Sequence, residues 1–340
     1  MITSSKVIGA GVSYETYSRQ APGVVRGNRE FIMSRSELTN FASNPKRWLD
    51  GYREDDDTDT DATVWGNLIE CLAGLNGDFE ERYAVAPAEY ADEKTGKLKP
   101  WTFAANVCKA WREEQGERNV IKSELRDKAE KAVAALQADA DVSELFACSQ
   151  NQVMVAGVWR DAATELEIPL RCLLDLVPDV AHPVFSKTLA DFKTCRNGCP
   201  DFWARVVDDA GYDVQAALST DLFVKATGRD ITEWLMPAQE NVHPFHVVKP
   251  MPALSAEFLK YGRAKYESAL TLYARCLATG EWPSYSTGSR LVLDAPPCQI
   301  IGPDTLYSYR QSGGLPAAQR DYEPKPDPTL LDGIPFTPGN

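Results

Sequence analysis

The sequence predicts an α/β fold in which a central mixed β-sheet is flanked by helices. Apolar or alternating runs rich in β-branched residues occupy the middle of the chain at 152–159, 164–177 and 184–190, as is typical of strands. Helical periodicity lies on both sides of these runs, most clearly at 63–75 and 255–279. The chain has 340 residues, of which 44% are apolar, and this is enough for a substantial core.

The N-terminal part of the chain divides into an arm and a broken helix. Residues 1–33 show no sustained periodicity, and we expect an arm that is mobile or packs on a neighbour. Residues 34–50 predict a short helix that is capped by Ser34 or Ser36 and interrupted at Pro45, because proline cannot donate a backbone hydrogen bond within a helix.

The helix predicted at 63–75 carries a single acid in an otherwise apolar stretch. Glu70 is the only acidic residue between Thr63 and Asn76. Burying a lone carboxylate is costly unless it is paired or bound to a cation, so Glu70 is a candidate ligand. The alternative is that Glu70 faces water.

The remaining elements are mostly helical, with short strands near the end. The pattern predicts helices at 101–116, 123–146 and 200–227, the last with a break near Gly211, and strands at 231–239 and 245–248. From residue 283 onwards the sequence is proline-rich and aperiodic, which favours an extended and partly disordered tail.

Two of the central strands each end in an acid, and the second acid is followed by a lysine. Asp175 closes one apolar run and Asp191 closes the next, with a turn expected at 179–183. In a hairpin of that length the two acids lie side by side. The period of two places Asp191 and Lys193 on one face and Phe192 in the core. Two carboxylates and one ammonium group therefore converge, and we expect Asp191 and Lys193 to face a solvent-accessible cleft.

This arrangement suits the hydrolysis of a phosphodiester. Hard cations held by carboxylates stabilise the attacking and leaving oxygens, and a lysine can orient the attacking water. A surface hairpin with an ordinary Asp–Lys pair has the same short pattern. Motifs elsewhere in the chain are therefore needed to distinguish an active site from such a hairpin.

Further motifs connect the acids to a known family. In order and spacing the chain resembles the PD-(D/E)xK nucleases, and within them the RecE-type (exonuclease VIII-like) phage exonucleases, from about Ser34 to Tyr285. The motifs are SRSEL at 34–38, NPKRW at 44–48, WGNLIE at 65–70, RCLLD at 171–175, ADFKT at 190–194, GYDVQAA at 211–217, ENVHPF at 240–245, YARCL at 273–277 and GEWP at 280–283.

The resemblance implies a restriction-endonuclease-like core and a set of site residues. Glu70, Asp175 and Asp191 would hold one or two Mg²⁺ or Mn²⁺ ions, and Lys193 would activate or position water. All four would be catalytic. The resemblance also implies a nuclease domain at 34–285 with a helical insertion at about 101–147, between an N-terminal arm at 1–33 and a tail at 286–340.

A second pair of residues is expected to contact substrate. In the family a Q-x-x-x-Y helix packs beside the active site, and Gln215 matches its glutamine while Ser219 replaces its tyrosine. Tyr212 lies three residues before Gln215 and so shares its helix face. A simple core hydrogen bond is the alternative role for Gln215.

The chain departs from the family pattern at three places. Glu70 stands where RecE-type enzymes have histidine, and the harder carboxylate favours Mg²⁺ or Mn²⁺. Gln150 or Gln152 stands where these enzymes carry a glutamate, and neither can supply a charge, so both are left out of the expected site. Asn44 replaces a cysteine that binds an iron–sulfur cluster in some RecB-like relatives, so no such cluster is expected.

The resemblance implies a metal-dependent exonuclease that degrades linear duplex DNA 5′ to 3′ and leaves single strands for recombination by an annealing partner. An endonuclease or RecB-like repair nuclease of the same fold is one alternative, and a catalytically silent DNA-binding or assembly protein is another. The sequence shows neither a signal peptide nor an apolar run of 18 residues, so we expect a soluble protein of the bacterial cytoplasm with no membrane contact.

The charge balance has to be reconciled with DNA binding. The net charge is −13, and residues 54–61 contain six acids in eight positions, whereas residues 1–53 contain eight Lys or Arg against four acids. Local charge, rather than net charge, decides contact with phosphates. A homo-oligomeric ring with basic residues around a DNA channel, as the resemblance implies, would reconcile the two.

Overall fold

The structure is a computed structural model that describes residues 1–51 and 61–284. The acidic run at 54–61 lies almost entirely outside the described residues, as does the tail expected at 286–340. The division into an arm, a nuclease domain and a tail stays a prediction. Within the described ranges, no helix combines the length and apolar character needed to cross a membrane.

The helices of the described residues are α1 (Tyr14–Ser18), α2 (Arg35–Ser43), α3 (Pro45–Leu49), α4 (Asp61–Leu72), α5 (Phe79–Arg82), α6 (Asn106–Glu114), α7 (Ser123–Ala138), α8 (Ala140–Ala147), α9 (Pro200–Asp209), α10 (Tyr212–Thr227) and α11 (Ala256–Thr279). The strands are β1 (Ile2–Gly9), β2 (Tyr83–Val85), β3 (Glu89–Ala91), β4 (Leu98–Pro100), β5 (Asn119–Ile121), β6 (Ser149–Arg160), β7 (Glu167–Pro178), β8 (Thr188–Ala190), β9 (Lys193–Cys195), β10 (Glu233–Leu235) and β11 (Ala238–Glu240).

A five-stranded mixed sheet lies at the centre, as the sequence predicts. Its strand order is β1-β6-β7-β8-β10, in which β8 and β10 are parallel and the other neighbours are antiparallel. Helices α10 and α11 pack together on this sheet. Their close approach depends on Gly262, where a Cβ atom would lie only 2.0 Å from the backbone oxygen of Asp213. The predicted fold class is therefore confirmed.

The segments that form β8–β9 and β10–β11 each contain a short break, and the two breaks lie beside each other. Beyond the parallel β8–β10 pairing, β9 pairs in parallel with β11. The backbone N–H of Asp191 donates to Leu235 O (3.1 Å), and that of Lys193 donates to Pro237 O (2.9 Å). The hydrogen bonds thus continue through the interruption, and Asp191 lies at the kink between β8 and β9.

The expected strand at 184–190 is wrong in its first half. Only Thr188–Ala190 is a strand. His182 Nδ1 accepts hydrogen bonds from the backbone N–H groups of Val184 (3.3 Å) and Phe185 (3.2 Å), which holds this part of the chain in a turn. The connection between β7 and β8 is consequently longer than the predicted turn at 179–183.

The N-terminal arm contains a strand that the sequence analysis does not predict. β1 lies at the sheet edge and pairs antiparallel with β6, so the first nine residues extend the molecule's own sheet. Most of its side chains are exposed, including Val7 and Ile8. An edge strand with so little buried surface produces no apolar alternation, and this explains why the pattern is absent.

Two of the predicted helices and two of the predicted strands are shorter than expected or divided into two. The helix expected at 101–116 begins only at Asn106. The helix expected at 123–146 stops at Asp139, whose carboxylate accepts from Val142 N (3.0 Å) and starts α8. Pro237 separates β10 from β11 where one strand was expected, and the strand expected at 245–248 is reduced to a bridge between Gln239 and Val247.

The predicted helix at 34–50 is confirmed, with its break at Pro45. Ser34 caps α2 by accepting from Glu37 N, and Asn44 caps α3 by accepting from Arg47 N. Trp48 on α3 is almost fully buried, and its indole N–H donates to the Glu37 carboxylate (2.6 Å). This buried contact fixes the α2–α3 unit against the core.

Candidate active site

Asp191 and Lys193 form an ion pair at the kink between β8 and β9. The Lys193 ammonium contacts Asp191 Oδ2, and both side chains are largely covered, with 17% of Lys193 and 2% of Asp191 exposed. The expectation that both face an open cleft is therefore wrong for Asp191. It is wrong because Lys193 and Gln215 cover the carboxylate. Phe192 points the other way into the core, as the alternation predicts.

Asp175 enters the same cluster from the neighbouring strand β7. Leu176 pairs with Ala190 between β7 and β8, so Asp175 and Asp191 lie in adjacent strands. The pKa of Asp175 is raised well above its ordinary value by burial and by the negative charges of Asp191 and Glu70, against the opposing effect of Lys193. Two strands thus bring together the two acids that the sequence analysis pairs.

Glu70 reaches the cluster from helix α4. Its pKa is raised chiefly by burial, and also by Asp191, while Lys193 lowers it. The only hydrogen-bond partner of its carboxylate among the described residues is Asn76, whose side-chain amide donates to Glu70 Oε2 (3.3 Å). The structure therefore places Glu70 within electrostatic reach of Asp191 and Lys193.

Lys193 is the positive centre of this group of acids. Burial alone would lower the pKa of its ammonium group, but the negative charges of Asp191 and Asp175 outweigh burial and raise it. The Lys193 side chain is consequently protonated at neutral pH. With all three carboxylates ionised, the cluster would carry a net negative charge in a partly buried place, and this cost is why the pKa values of Asp175 and Glu70 are raised. A bound cation would relieve the same repulsion.

Helix α10 supplies the two residues that are expected to contact substrate. The Gln215 side-chain amide donates to Asp191 Oδ1 (2.7 Å). The Lys193 Nζ atom lies over the Tyr212 ring, 4.9 Å from the ring centroid, in a cation–π contact. Both side chains thus contact the Asp191–Lys193 pair, and their contact with substrate stays a prediction.

Gln152 belongs beside the acids although the sequence analysis leaves it out. The β6–β7 ladder pairs Asn151 with Leu176 and Val153 with Leu174, so Gln152 lies opposite Asp175. Its side-chain amide donates to Asp175 Oδ1 at 3.4 Å, and its backbone has a left-handed φ of 50°. Such a φ is strained for a residue other than glycine and is typical of functional sites. Gln150 is exposed and pairs with Val177 in the same ladder.

Arg35 is a second residue that the sequence analysis does not single out. It is the first residue of α2, and its guanidinium donates to Gln215 Oε1 (3.3 Å) and to Ala210 O (3.4 Å). Its partners lie about 180 residues further along the chain, so no local pattern could have revealed them.

The donor chemistry of the cluster fits a hard divalent cation. Glu70, Asp175 and Asp191 offer only oxygen ligands, as Mg²⁺ and Mn²⁺ prefer. As the side chains stand, the described residues contain no group of three or more His, Cys, Asp or Glu close enough to hold a metal ion. Binding an ion would therefore require these carboxylates to turn towards one point.

Comparisons with known proteins found a matching family model and a similar solved structure. A family model described as "PDDEXK-like domain of unknown function (DUF3799)" matches residues 34–292. No curated protein matches the chain. Among solved structures, that of a proposed exonuclease from Eubacterium rectale is similar, with a TM-score of 0.49 and 14% identity over 90% of this chain and 100% of that chain.

The family match begins at Ser34, where the SRSEL motif begins, and it covers most of the chain. It includes Glu70, Asp175, Asp191 and Lys193. The match supports a nuclease as the general function. The chain belongs to the family of PDDEXK-like domains, within the PD-(D/E)xK nuclease superfamily.

Proposed function

We propose that the protein is a divalent-metal-dependent exonuclease that hydrolyses phosphodiester bonds of linear duplex DNA. The observation that carries the proposal is the convergence of Glu70, Asp175 and Asp191 around the protonated Lys193. A purely structural ion pair needs one acid for one lysine. The two further carboxylates destabilise the cluster unless a cation binds, and a phosphodiesterase needs such a cation.

In this proposal Glu70, Asp175 and Asp191 hold the ion or ions, and Lys193 acts on the attacking water. A bound divalent ion would supply a Lewis acid for the phosphate and would lower the pKa of water. Because its pKa is raised, Lys193 keeps its proton at neutral pH. It is therefore suited to orienting water and stabilising negative charge, and unsuited to accepting a proton.

Gln215 and Tyr212 hold the reacting groups in place. The Gln215 amide fixes one oxygen of Asp191, which leaves the other for Lys193. The Tyr212 ring limits where the Lys193 ammonium can move. Such positioning matters because a displacement of about 1 Å in a reacting group can cost about a hundredfold in rate.

The specific activity at DNA ends rests on the resemblance to RecE-type exonucleases. That resemblance supports 5′ to 3′ degradation, a recombination role in phage or prophage, and a single-strand annealing protein as partner. The competing proposal is an endonuclease or RecB-like repair nuclease, which would cut DNA without a free end. A catalytically silent DNA-binding protein is the third possibility, and the intact Asp175, Asp191 and Lys193 count against it.

One assay separates these functions. End-labelled linear duplex and covalently closed circular duplex of the same sequence are incubated with the protein and Mg²⁺ or Mn²⁺, with EDTA as the control. An exonuclease degrades the linear DNA, leaves the closed circle intact, and stops in EDTA. Cleavage of the circle at the same rate would establish the endonuclease, and cleavage of neither would favour the silent protein.

The homo-oligomeric ring is proposed from the resemblance to RecE-type exonucleases and from the charge balance of the sequence. Of the basic residues in the first 53 positions, three are paired with nearby acids, namely Arg19 with Glu15, Arg26 with Glu37, and Lys46 with Asp50. Paired side chains add less positive potential to a channel lining. Light scattering at micromolar concentration tests the ring, since a monomer would exclude it and leave the charge balance unexplained.

Glu70→Gln tests whether Glu70 is a metal ligand. Glutamine has the same shape and can keep the contact with Asn76, but it lacks the charge. We expect the Mg²⁺ concentration for half-maximal cleavage to rise by about tenfold or more. Glu113→Gln, an exposed position on α6, is the matched control and should leave the Mg²⁺ dependence unchanged. An unchanged Mg²⁺ dependence in Glu70→Gln would make Glu70 a structural residue.

A further inference from the structure

Arg35 is a half-buried cation that has no acidic partner among the residues that the structure describes. Within the part of the chain that the structure describes, its guanidinium makes two hydrogen bonds, both to neutral oxygens and both long, to Ala210 O (3.4 Å) and Gln215 Oε1 (3.3 Å). A guanidinium has five N–H donors. The side chain therefore keeps unused donors and an unneutralised charge in a partly covered place.

This separates Arg35 from three other basic residues near it in the sequence. Arg19, Arg26 and Lys46 each contact a carboxylate within the same segment. Those ion pairs explain their placement without any ligand. For Arg35 the structure gives no such explanation, since neutral acceptors compensate a partly desolvated guanidinium less well than a carboxylate or phosphate does.

The position of Arg35 indicates which ligand would neutralise its charge and accept hydrogen bonds from its unused donors. Gln215 accepts from Arg35 through Oε1 and donates to Asp191 through Nε2, so a single amide group separates the guanidinium from the proposed catalytic carboxylate. Along one DNA strand there is one phosphate charge for about each 3.4 Å of helix axis. A strand with one phosphate at Asp191 and Lys193 would therefore have a neighbouring phosphate close by, and Arg35 is a cation that Gln215 links directly to this position.

We propose that Arg35 binds a phosphate of the DNA strand next to the phosphodiester that is cut. This inference rests on the proposed nuclease function and assigns to it a substrate-binding residue on helix α2. The planar fork of the guanidinium can hold two phosphate oxygens at once, which an ammonium cannot. Arg35 would thereby fix the register of the strand relative to Asp191.

A structural role is the competing explanation. By donating to Ala210 O, Arg35 also ties α2 to the C-terminal end of α9. A tie of this kind would affect stability and the placement of Gln215. It would not affect how cleavage depends on salt, because only the loss of a phosphate contact changes the number of counterions released on binding.

The test uses Arg35→Gln, Arg35→Lys and a matched control, Arg112→Gln, which removes an exposed arginine from α6. For each protein, KM and kcat on linear duplex are measured at several NaCl concentrations. Anisotropy of a labelled duplex without divalent metal gives binding directly, and thermal melting checks the fold. We expect Arg35→Gln to raise KM about tenfold, to leave kcat within about threefold, and to reduce the slope of log affinity against log salt by about one.

Arg35→Lys should recover the salt slope but only part of the affinity, because it restores the charge without the fork. The control should behave as the wild type does. An unchanged KM and salt slope in Arg35→Gln would overturn the inference, as would a fall in kcat alone, which would mean that Arg35 acts through Gln215. If the wild type binds DNA without cutting it, the proposed function fails while the binding measurements still decide about Arg35. If it neither binds nor cuts DNA, both fail.

Discussion

Asp191→Asn is expected to lower the rate of DNA cleavage by about a thousandfold or more while the protein stays folded. The Asp191 carboxylate pairs with Lys193, accepts a hydrogen bond from Gln215, and is a proposed metal ligand. Removing its charge weakens both the hold on the cation and the placement of Lys193. A loss of about 4 kcal/mol in transition-state stabilisation corresponds to that fall in rate.

Asparagine is a better replacement than alanine because Asp191 is buried. Asp191→Ala would leave the partly covered Lys193 ammonium unpaired, deprive Gln215 of its acceptor, and create a cavity, so loss of activity could result from unfolding. Asparagine keeps the volume and an oxygen that can accept from Gln215. Lys193→Ala should also abolish cleavage, but it leaves three carboxylates without a cation and therefore carries a larger risk to the fold.

Asp230→Asn is the matched control for this substitution. Asp230 is exposed and pairs with Lys187 (2.7 Å), so the same chemical change removes an Asp–Lys pair away from the site. Rates of linear duplex cleavage under single-turnover conditions and thermal melting compare the two variants. If Asp191→Asn cleaves at close to the wild-type rate, the assignment of the site fails.

The helices next to the site were predictable because their ends have local causes. Ser34 and Asn44 cap α2 and α3 within a few residues of the positions that the sequence analysis expects. The break at Gly211 is also local, since this residue has a left-handed φ of 65°. The helix face shared by Tyr212 and Gln215 follows from the helical period alone.

The register of the β6–β7 hairpin was less predictable, so the sequence could not show whether Gln150 or Gln152 faces Asp175. A turn at 160–163 would place Cys148 opposite Asp175. In the structure the Asp161 carboxylate accepts from Ala163 N (3.1 Å) and Thr164 N (2.7 Å), and the connection extends until Arg160 pairs with Glu167. That difference of four residues brings Gln152, and not Cys148, to Asp175. A small side-chain capping effect in the loop thus decides which residue enters the site.

The clustering of Glu70 and Arg35 with the acids could not follow from periodicity. Glu70 lies on α4 and Arg35 on α2, and both reach Asp191 or its partner through long-range packing. Glu70 could be singled out from the sequence because a lone acid in an apolar helix needs an explanation. Arg35 lies in the polar first turn of α2, where a charged residue needs no special explanation. The physical signal at Arg35 is the lack of an acidic partner among the described residues, and it exists only in three dimensions.

Asp175→Asn should abolish cleavage and at the same time stabilise the fold when no divalent ion is present. The pKa of Asp175 is raised by burial and by repulsion from Asp191 and Glu70. Above the ordinary Asp pKa of about 3.9, the folded protein therefore binds this proton more tightly than the unfolded chain does. As the pH rises from the ordinary Asp pKa towards the pKa of Asp175 in the folded state, the protein consequently loses stability. The whole of this loss is present above the pKa in the folded state.

The variant and the wild type should therefore differ in a way that depends on pH and on metal. In EDTA at pH 8 we expect the melting temperature of Asp175→Asn to exceed that of the wild type by about 2 °C or more, and the difference to vanish below about pH 4. Adding Mg²⁺ should raise the melting temperature of the wild type more than that of the variant, because the ion neutralises the carboxylates that repel each other. Asp230→Asn should show neither effect. A variant that melts below the wild type by the same amount at pH 4 and pH 8 would show that Asp175 stabilises the sheet, and a metal site at this position would then lose its physical basis.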